Sequence, residues 1–329
     1  MRYPNLISAG LGGAGFFAVW WNGEWLWLPC SGGKIQPQVG INVPDTIHGS
    51  SGRESPTWMT RYSDGAVRYS GAVSLPFYLQ TDFYELVTQW ILPGATPVTI
   101  LQSMDGIYAS VCQSCYVNQT NISMNGTNEA VSINLTLEAK KITTATIIDN
   151  AVTIPDILLD DDHQEVCVSL DGTNYSQFYS RSQYVDGLPL QGWNTNCVFD
   201  GIYASSPKAV SWSVSIDNPT TVAHVLNASL EPVAVYQGQA KVAGKVVVFD
   251  RDGVPLPKQR NGSLNIELGT FGYIKVPNLY LDAFAAEGAE VNTPIVRNLS
   301  FNAFRGDYNT DVMNSKADAI QLIVGLDMV

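Results

Sequence analysis

The stretch that decides the fold is Ala209–Asp250, which reads AVSWSVSIDNPTTVAHVLNASLEPVAVYQGQAKVAGKVVVFD. It begins with alternating apolar and polar residues, the apolar ones being Val210, Trp212, Val214 and Ile216. It ends in a second strand-like run, Val242–Phe249, with Gly244 near its start. Apolar side chains at every second position line one face of a sheet. The stretch therefore predicts a strand, a long polar loop and a returning strand.

The same plan occurs earlier in the chain, at Lys34–Tyr78, where KIQPQVGINVP and AVRYSGAVSLPFY flank another long loop. In this alignment Gly71 falls on Gly244. Further along, the segment Leu135–Leu137 falls on Leu299–Phe301. A repeat of this length indicates a duplicated domain and not a short-period solenoid.

The repeat extends upstream to a predicted hairpin, Phe17–Leu28, whose Asn22-Gly23 pair suits a type I′ turn. Val166–Tyr175 has the same plan with an Asp-Gly pair. We predict a mainly β fold with two tandem β-sandwich or barrel domains and one short helix. The predicted divisions are an N-terminal arm (1–15), a first domain (16–140), a linker (141–165) and a second domain (166–329) with an insertion at about 179–206 that has no counterpart in the first.

The short helix is predicted at Thr81–Leu92, in the first domain. Its apolar residues follow the spacing of a helix with one buried face, and they are Phe83, Leu86, Val87, Trp90 and Ile91. Thr81 is expected to cap the helix, and Pro93-Gly94 to end it. The second copy is too short and too rich in proline at this place to form the same helix.

Composition excludes several classes of function. The chain has 329 residues, 45% of them hydrophobic and 15% charged, as expected for ordered globular protein. Its formal charge is −12, and its 18 basic residues form no cluster that could grip nucleic acid. It contains no apolar run long enough for a membrane span or a signal peptide. We therefore expect a soluble protein that is made in the cytosol.

Constellations for catalysis or metal binding are poor. The three histidines lie in predicted loops or the linker, without a cysteine or carboxylate at a recognisable spacing. Cys112 and Cys115 form a CxxC pair, but a structural zinc site needs four ligands and the chain has no second pair. Phosphate-binding glycine loops and nucleophile elbows are also missing. We predict that the protein is not an enzyme and has no cofactor or metal.

The loop Pro44–Gly65 is far longer than a hairpin connection needs, and loops of this length in compact domains are often functional. It combines large apolar residues with charged ones, and the residues predicted to make a contact are Arg53, Glu54, Trp58, Met59 and Arg61. We expect this loop to dock on another molecule.

The duplicated strand–loop–strand pattern resembles the tail tube proteins of tailed bacteriophages. The residues that carry the resemblance are Ser211–Asp217 with the loop to Glu231, the return strand Val242–Asp250, and the segment Asn128–Glu138. The resemblance implies β-sandwich subunits whose sheets join into a ring around a DNA channel. In two-domain members, three chains make a pseudo-hexameric ring. The shorter second loop and the missing second helix depart from the pattern and leave open which copy makes which contact.

The resemblance further implies a structural protein of the virion tail, assembled in the host cytoplasm. Stacked rings would form the tube for DNA ejection, and the five residues of the long loop would reach the next ring. Expected partners are further copies of the chain, a baseplate, a terminator and, in a contractile tail, a sheath. Viral DNA would pass through without sequence-specific binding, helped by a negative lumen.

Two other readings stay open. One is a host-surface or carbohydrate-binding β-sandwich whose exposed aromatic side chains stack on sugars. The other is a tail-terminator or baseplate hub protein of the same fold. A further alternative is a hydrolase that uses paired carboxylates, for which the sequence offers no anchored pair.

Overall fold

The structure, a computed structural model, describes residues 16–22, 24–28, 32–42, 63–92, 96–103, 108–148, 151–153, 182–184, 189–203, 207–225, 230–249, 257, 260–270, 272–287, 296–303 and 320–324. These residues are mainly β, which confirms the predicted fold class at this level. The strands are antiparallel with one exception, a short parallel pairing near residue 183. One contiguous cluster of buried apolar side chains includes residues from Phe17 to Ile320.

The first nine strands are β1 (Phe16–Trp21), β2 (Glu24–Trp27), β3 (Gly32–Asn42), β4 (Ser63–Pro76), β5 (Val98–Ser103), β6 (Tyr108–Met124), β7 (Ser132–Ala139), β8 (Lys141–Ile148) and β9 (Ala151–Thr153). The long strand β6 belongs to two ladders. Its N-terminal part pairs with β5 and β8, and its C-terminal part pairs with β7. Strand β4 lies between β3 and β7, while β1 lies between β2 and β5. A register shift in β6 between Val117 and Gln119 accompanies the change of ladder, as expected because bulges bend strands.

The remaining strands are β10 (Ser182–Tyr184), β11 (Thr195–Asp200), β12 (Ala209–Asp217), β13 (Thr220–Ala223), β14 (Ala234–Gln237), β15 (Lys241–Phe249), β16 (Asn261–Leu268), β17 (Gly272–Glu287), β18 (Val296–Ala303) and β19 (Gln321–Val324). The long strand β17 pairs with β16 and β19 through its N-terminal part and with β18 through its C-terminal part. Strand β15 lies between β12 and β18, and β16 pairs with β11. Strand β10 runs parallel to β2, and β13 and β14 form a separate hairpin.

The pairings occur twice along the chain. The ladders β1–β5, β3–β4, β4–β7, β5–β6, β6–β7 and β6–β8 correspond in order to β11–β16, β12–β15, β15–β18, β16–β17, β17–β18 and β17–β19. We call β1 and β3–β8 the first strand set, and β11, β12 and β15–β19 the second strand set. The register shift of β6 also recurs, in β17 between Leu281 and Ala283.

The registers agree with the sequence alignment. Gly71 lies opposite Leu137, and Gly244 lies opposite Phe301. In the sequence alignment Gly71 corresponds to Gly244, and Leu137 corresponds to Phe301. In the structure the two residues of each strand set face each other, so the two correspondences are consistent. Gly71 also faces Ile35 on its other side, where Gly244 faces Val214.

The region predicted as an insertion, about 179–206, contains a strand that takes the place of β1. Strand β11 pairs with β16 as β1 pairs with β5. The prediction that this region has no counterpart is therefore corrected. It followed from aligning the first hairpin with Val166–Tyr175, which lies outside the described residues. An Asp-Gly pair favours a turn, but it does not say which strand the flanking residues join.

The region predicted as a linker, 141–165, begins in regular structure. Strand β8 pairs with β6, and β9 pairs with β8. Residues 154–165 lie outside the described part of the chain, as does the predicted N-terminal arm, 1–15. The first ladder thus continues beyond the predicted domain end at residue 140.

The predicted helix forms as α1 (Thr81–Leu86), which continues as a π-helical turn at Val87–Ile91. The predicted buried stripe is confirmed, since Phe83, Leu86, Val87, Trp90 and Ile91 are all at most 1% exposed. The predicted cap is wrong. Gln80, with φ −142° and ψ 139°, holds the capping position and makes no side-chain capping bond, and Thr81 already belongs to the helix. A capping residue must be extended, and here that residue is one position earlier.

Candidate functional site

The candidate site is the junction between the two strand sets. The C-terminal part of β6 pairs with β12, from Met124 opposite Trp212 to Gln119 opposite Asp217. This pairing joins an edge of the first set to an edge of the second. The result is one antiparallel ladder with the order β3-β4-β7-β6-β12-β15-β18-β17, which we call the long ladder.

A hairpin from the second half of the chain lies beside this junction and is hydrogen-bonded to the first strand set. It consists of β13 and β14, and we call it the hairpin arm. The Thr220 amide donates to Asn118 Oδ1 at 3.2 Å, and the Asn218 amide donates to the Asn118 carbonyl at 2.7 Å. Gln237 Nε2 donates to the Val117 carbonyl at 3.2 Å. Backbone and side-chain bonds therefore both hold the arm in place.

The arm covers a buried charge. Glu138 on β7 is 1% exposed, and both of its carboxylate oxygens accept hydrogen bonds from the Arg68 guanidinium. Thr220 Oγ1 of the arm adds a donor at 3.4 Å. The bond to Glu138 raises the pKa of Arg68 above its usual value. A buried carboxylate is tolerable in this form because a cation and further donors satisfy it.

A second polar contact lies beside the ion pair. The phenol of Tyr69 has a raised pKa, first because of burial and then because of the nearby Glu231 carboxylate. The Val67 amide donates to the Leu230 carbonyl at 2.8 Å. The segment that follows the arm's first strand therefore also touches β4.

The exposed side of the long ladder, which we call the open face, is lined mainly by small uncharged side chains. Alternation along the strands places on it Ser70, Ala72, Ser74, Gln119, Asn121, Ser123, Asn134, Thr136, Ser211, Ser213, Ser215, Ala243, Asn298 and Ser300. A shallow groove lined by Gly33, Ser74, Asn121 and Ser215 crosses the junction on this face. The face is therefore polar, and its surface is continuous from one strand set to the other.

Charges on the open face are mixed. Basic residues are Lys34, Arg68, Lys241 and Lys245, and the acidic ones are Asp217, Asp282 and the covered Glu138. The net charge of −12 is thus not concentrated on the described part of this face.

Exposed apolar residues collect on the segment between β12 and β15. They are Val225, Leu230, Val233 and Tyr236, which are 43–62% exposed. Exposed apolar groups that lie near one another often mark an interaction surface. The sequence had indicated the other long loop as the main contact. Its predicted contact residues Arg53, Glu54, Trp58, Met59 and Arg61 lie outside the described residues.

The described cysteines, Cys112, Cys115 and Cys197, are buried and form no disulfide. Cys112 and Cys115 both lie on β6, and Cys115 Sγ donates to the Cys112 carbonyl at 3.3 Å. Burial raises the pKa of Cys115, and burial followed by the charge of Glu267 raises the pKa of Cys197 to about 12. Such thiols stay protonated and are poor nucleophiles.

Sequence reasoning missed the buried ion pair and the arm that covers it. Glu138 sits at an outward position of its strand, where a charged residue normally faces solvent. Its partner Thr220 lies 82 residues away, so no local pattern links the two. The alternation of β12 and β6 was visible, but it did not indicate that these strands pair.

The described residues contain no group of histidine, cysteine and carboxylate side chains that could hold a metal ion. In the same part of the chain, no helix has the length and apolar character needed to span a membrane. When the chain is compared with known proteins, no family model and no curated protein matches it.

Proposed function

We propose that the protein is a structural, self-assembling subunit of the tail tube of a tailed bacteriophage. Its two strand sets act as tandem domains, three chains close into a pseudo-hexameric ring, and stacked rings form the conduit for DNA. The observation that carries this proposal is the junction of β6 with β12. It shows within one chain how an edge of one strand set accepts an edge of the next.

The repeated pairings make this junction extendable. Each strand set has two edges. If one edge pairs with the preceding set and the opposite edge pairs with the following set, further sets can be added in the same way. A contact of this head-to-tail kind closes into a ring when the rotation between units fits. Ring closure also removes exposed sheet edges, which are otherwise sites of aggregation.

The open face supports a conduit. Its described side chains are mostly uncharged hydroxyl and amide groups, and its basic residues Lys34, Arg68, Lys241 and Lys245 lie on three strands, β3, β4 and β15. Affinity for nucleic acid depends on neutralising phosphates with lysine and arginine. DNA would therefore pass such a surface without being held. In this proposal the mainly uncharged surface permits sliding.

In the proposed setting the protein belongs to the virion tail and is assembled in the host cytoplasm. Its partners are other copies of itself, the baseplate, the terminator and, in a contractile tail, the sheath. A terminator or baseplate hub protein could use the same junction, and it would differ in the number of copies per particle.

A second candidate function is binding of host-surface carbohydrate. It is favoured by Trp193, which lies in a short 3-10 turn, Gly192–Asn194, and is 68% exposed. An exposed indole can stack on a sugar ring. The open face does not favour this function, because Phe249 is the one aromatic residue that its described part exposes.

The test is electron microscopy of the purified protein over a range of concentrations, combined with analytical ultracentrifugation. Rings or tubes are expected. The proposal is contradicted if the protein stays monomeric at all concentrations, even after an extract that contains the other tail proteins is added. Trp193→Ala serves as a matched variant, because it should leave assembly unchanged but abolish glycan binding if the second function holds.

A further inference from the structure

A cavity of about 880 Å³ opens on the outward side of the second strand set, where β11, β16 and β17 meet. At this place β17 passes from its ladder with β16 to its ladder with β18. The volume lies within the range of about 300–1,000 Å³ that is usual for small-molecule sites. Its polar lining consists of a carboxylate, two amides and two hydroxyls, which belong to Asp200, Asn261, Asn278, Ser263 and Tyr280. Size and lining both suit a small polar ligand.

A β-bulge shapes this cavity. Gly262 lies opposite Leu279 and Leu264 lies opposite Val276, so β17 has one residue more than β16 between these pairs. Val276 and Leu279 are therefore both buried although they are three positions apart, and Asn278 between them is exposed and lines the cavity. Bulges often lie beside functional sites because they change the direction of a side chain.

The first strand set has the same bulge, between β5 and β6, but it is closed at this place. Thr99 and Ser114 hold the positions that correspond to Ser263 and Asn278, and they are only 2% and 5% exposed. Ser263 is half-buried and Asn278 is exposed. The cavity is therefore a feature of the second strand set and not of the fold that both sets share.

Residue types at the cavity differ between the two strand sets. Asp200 stands where the first set has Trp20, and Asn261 stands where it has Pro97. An indole and a pyrrolidine ring thus correspond to a carboxylate and an amide. Both differences add hydrogen-bonding groups and remove apolar surface, so they favour a ligand with many polar groups.

Two of the polar groups are held by neighbours that do not line the cavity. Asn265 Nδ2 donates to Asp200 Oδ2 at 3.0 Å, and Arg260 Nη1 donates to the Tyr280 hydroxyl oxygen at 3.3 Å. The carboxylate has a second oxygen that can accept a bond, and the phenol has a hydrogen that it can donate. Groups that are already positioned lose less conformational freedom when a ligand binds.

We propose that this cavity binds a neutral saccharide. Carboxylate and amide groups together offer donors and acceptors for sugar hydroxyls, and the ring of Tyr280 offers an apolar face on which a pyranose can stack. The carboxylate of Asp200 disfavours an anionic ligand. This inference goes beyond the proposed function and does not depend on it, because assembly into a tube requires no ligand.

The cavity is separate from the exposed indole of Trp193. That residue lies just before Thr195, the first residue of β11, whereas Asp200 is the last. A strand of 6 residues spans about 20 Å. One sugar unit therefore cannot contact both places, and variants can distinguish them.

Binding of glycans to the purified protein tests the proposal. The probes are an array of neutral cell-surface glycans beside storage and structural oligosaccharides, so that the hits identify the source. The dissociation constant of each hit is then measured by isothermal titration with the free oligosaccharide. Binding of at least one of these glycans is expected. A protein that binds none of them would overturn the proposal.

Variants locate the site. Asp200→Asn should raise the Kd at least about tenfold, because it removes charge-assisted hydrogen bonds. Asn278→Ala, at an exposed position where folding is not at risk, should raise the Kd at least about fivefold. Glu267→Gln is the matched control. Its carboxylate accepts from Asn196 Nδ2 at 3.0 Å between the same two strands but does not line the cavity, so the Kd should stay unchanged.

Two further measurements complete the test. If Trp193→Ala abolishes binding while Asp200→Asn and Asn278→Ala retain it, the cavity is not the site and the proposal is overturned. Electron microscopy of the same two cavity variants should show the same assemblies as the native protein. Failure of glycan binding with normal rings would thus overturn this inference and leave the proposed function standing, and glycan binding without rings would do the reverse.

Discussion

The side chain of Gln102 takes the place of a neighbouring strand at Ile35. The Ile35 amide donates to Gln102 Oε1 at 3.0 Å, and Gln102 Nε2 donates to the Ile35 carbonyl at 2.6 Å. Both residues are at most 2% exposed. Water cannot replace these bonds in the folded protein, and buried backbone groups need partners.

Removing this amide should destabilise the protein strongly. Gln102→Met keeps the volume but leaves two buried backbone groups unpaired, each costing about 1–3 kcal/mol. We expect the free energy of unfolding to fall by about 2–6 kcal/mol in urea titrations. Gln89→Met, at an exposed position of the helix, should change it by less than about 0.5 kcal/mol. Equal losses in the two variants would contradict the role of Gln102.

Gly244 and Gly71 should both resist substitution, for different reasons. A Cβ atom on Gly244 would overlap the ring of Phe301 and lie 2.6 Å from the Ser213 carbonyl oxygen. A Cβ atom on Gly71 would overlap the Lys34 carbonyl, which is backbone. We expect Gly244→Ala to cost about 1–3 kcal/mol. Adding Phe301→Leu should recover part of that loss through non-additivity.

No side-chain change should recover the loss in Gly71→Ala, because the overlap there involves the main chain. Thermal melts of the single and double variants measure this. If Phe301→Leu and Gly244→Ala were simply additive, the ring would not be the obstacle at Gly244.

Trp90 should be a main anchor of the helix. It is fully buried, and its indole Nε1 donates to the Cys115 carbonyl at 3.1 Å. Trp90→Ala should cost about 3–5 kcal/mol, the range for emptying a large aromatic from a core. Trp193→Ala is the matched control, because that indole is 68% exposed and its loss should change the stability of the monomer by less than about 0.5 kcal/mol. Similar melting temperatures for the two variants would contradict the assignment.

Stability should fall in alkaline solution because of buried thiols. The pKa of Cys197 rises from 9.0 to about 12 in the folded protein, chiefly through burial. Above pH 9 the unfolded chain releases this proton while the native protein keeps it. Stability is therefore complete below pH 9 and declines up to about pH 12, by at most about 1.4 kcal/mol per pH unit for this group.

Urea titrations between pH 8 and pH 11 measure the decline. Cys197→Ala should be less stable at pH 8 because of the lost packing, but its stability should fall less steeply with pH. The same slope in the variant and the native protein would show that Cys197 does not contribute to the decline.

The two long loops should differ in their effect on stacking. The sequence predicts that deletion of residues 48–60 leaves the domains folded and abolishes tubes, and that the loop Asn218–Glu231 matters less because it holds no tryptophan. The exposed Val233 and Tyr236 nearby make the second expectation testable. Negative-stain microscopy and circular dichroism should be applied to the deletion and to a Val233→Ser, Tyr236→Ser variant. Tubes of normal length in the deletion would refute the first loop as the connector between rings.

Local periodicity explains what could be predicted. The alternation around Trp212 indicates a strand, and the spacing around Trp90 indicates a helix with one buried face, because side-chain direction repeats every two residues in strands and every 3.6 in helices. The similarity of the segments around Gly71 and Gly244 likewise indicated a duplication. The mainly β class and the helix were therefore available from the sequence, as was the equivalence of Gly71 and Gly244.

The choice of partners could not be predicted. All residues except proline have the same backbone donor and acceptor. The sequence of a strand therefore does not specify which other strand pairs with it. The pairing of β6 with β12, the place of β11 beside β16 and the covering of Glu138 by Thr220 join residues that are far apart in the chain. The sequence determined which side chains share a face, and only the tertiary structure decided which edges meet, because that choice depends on the packing of the whole chain.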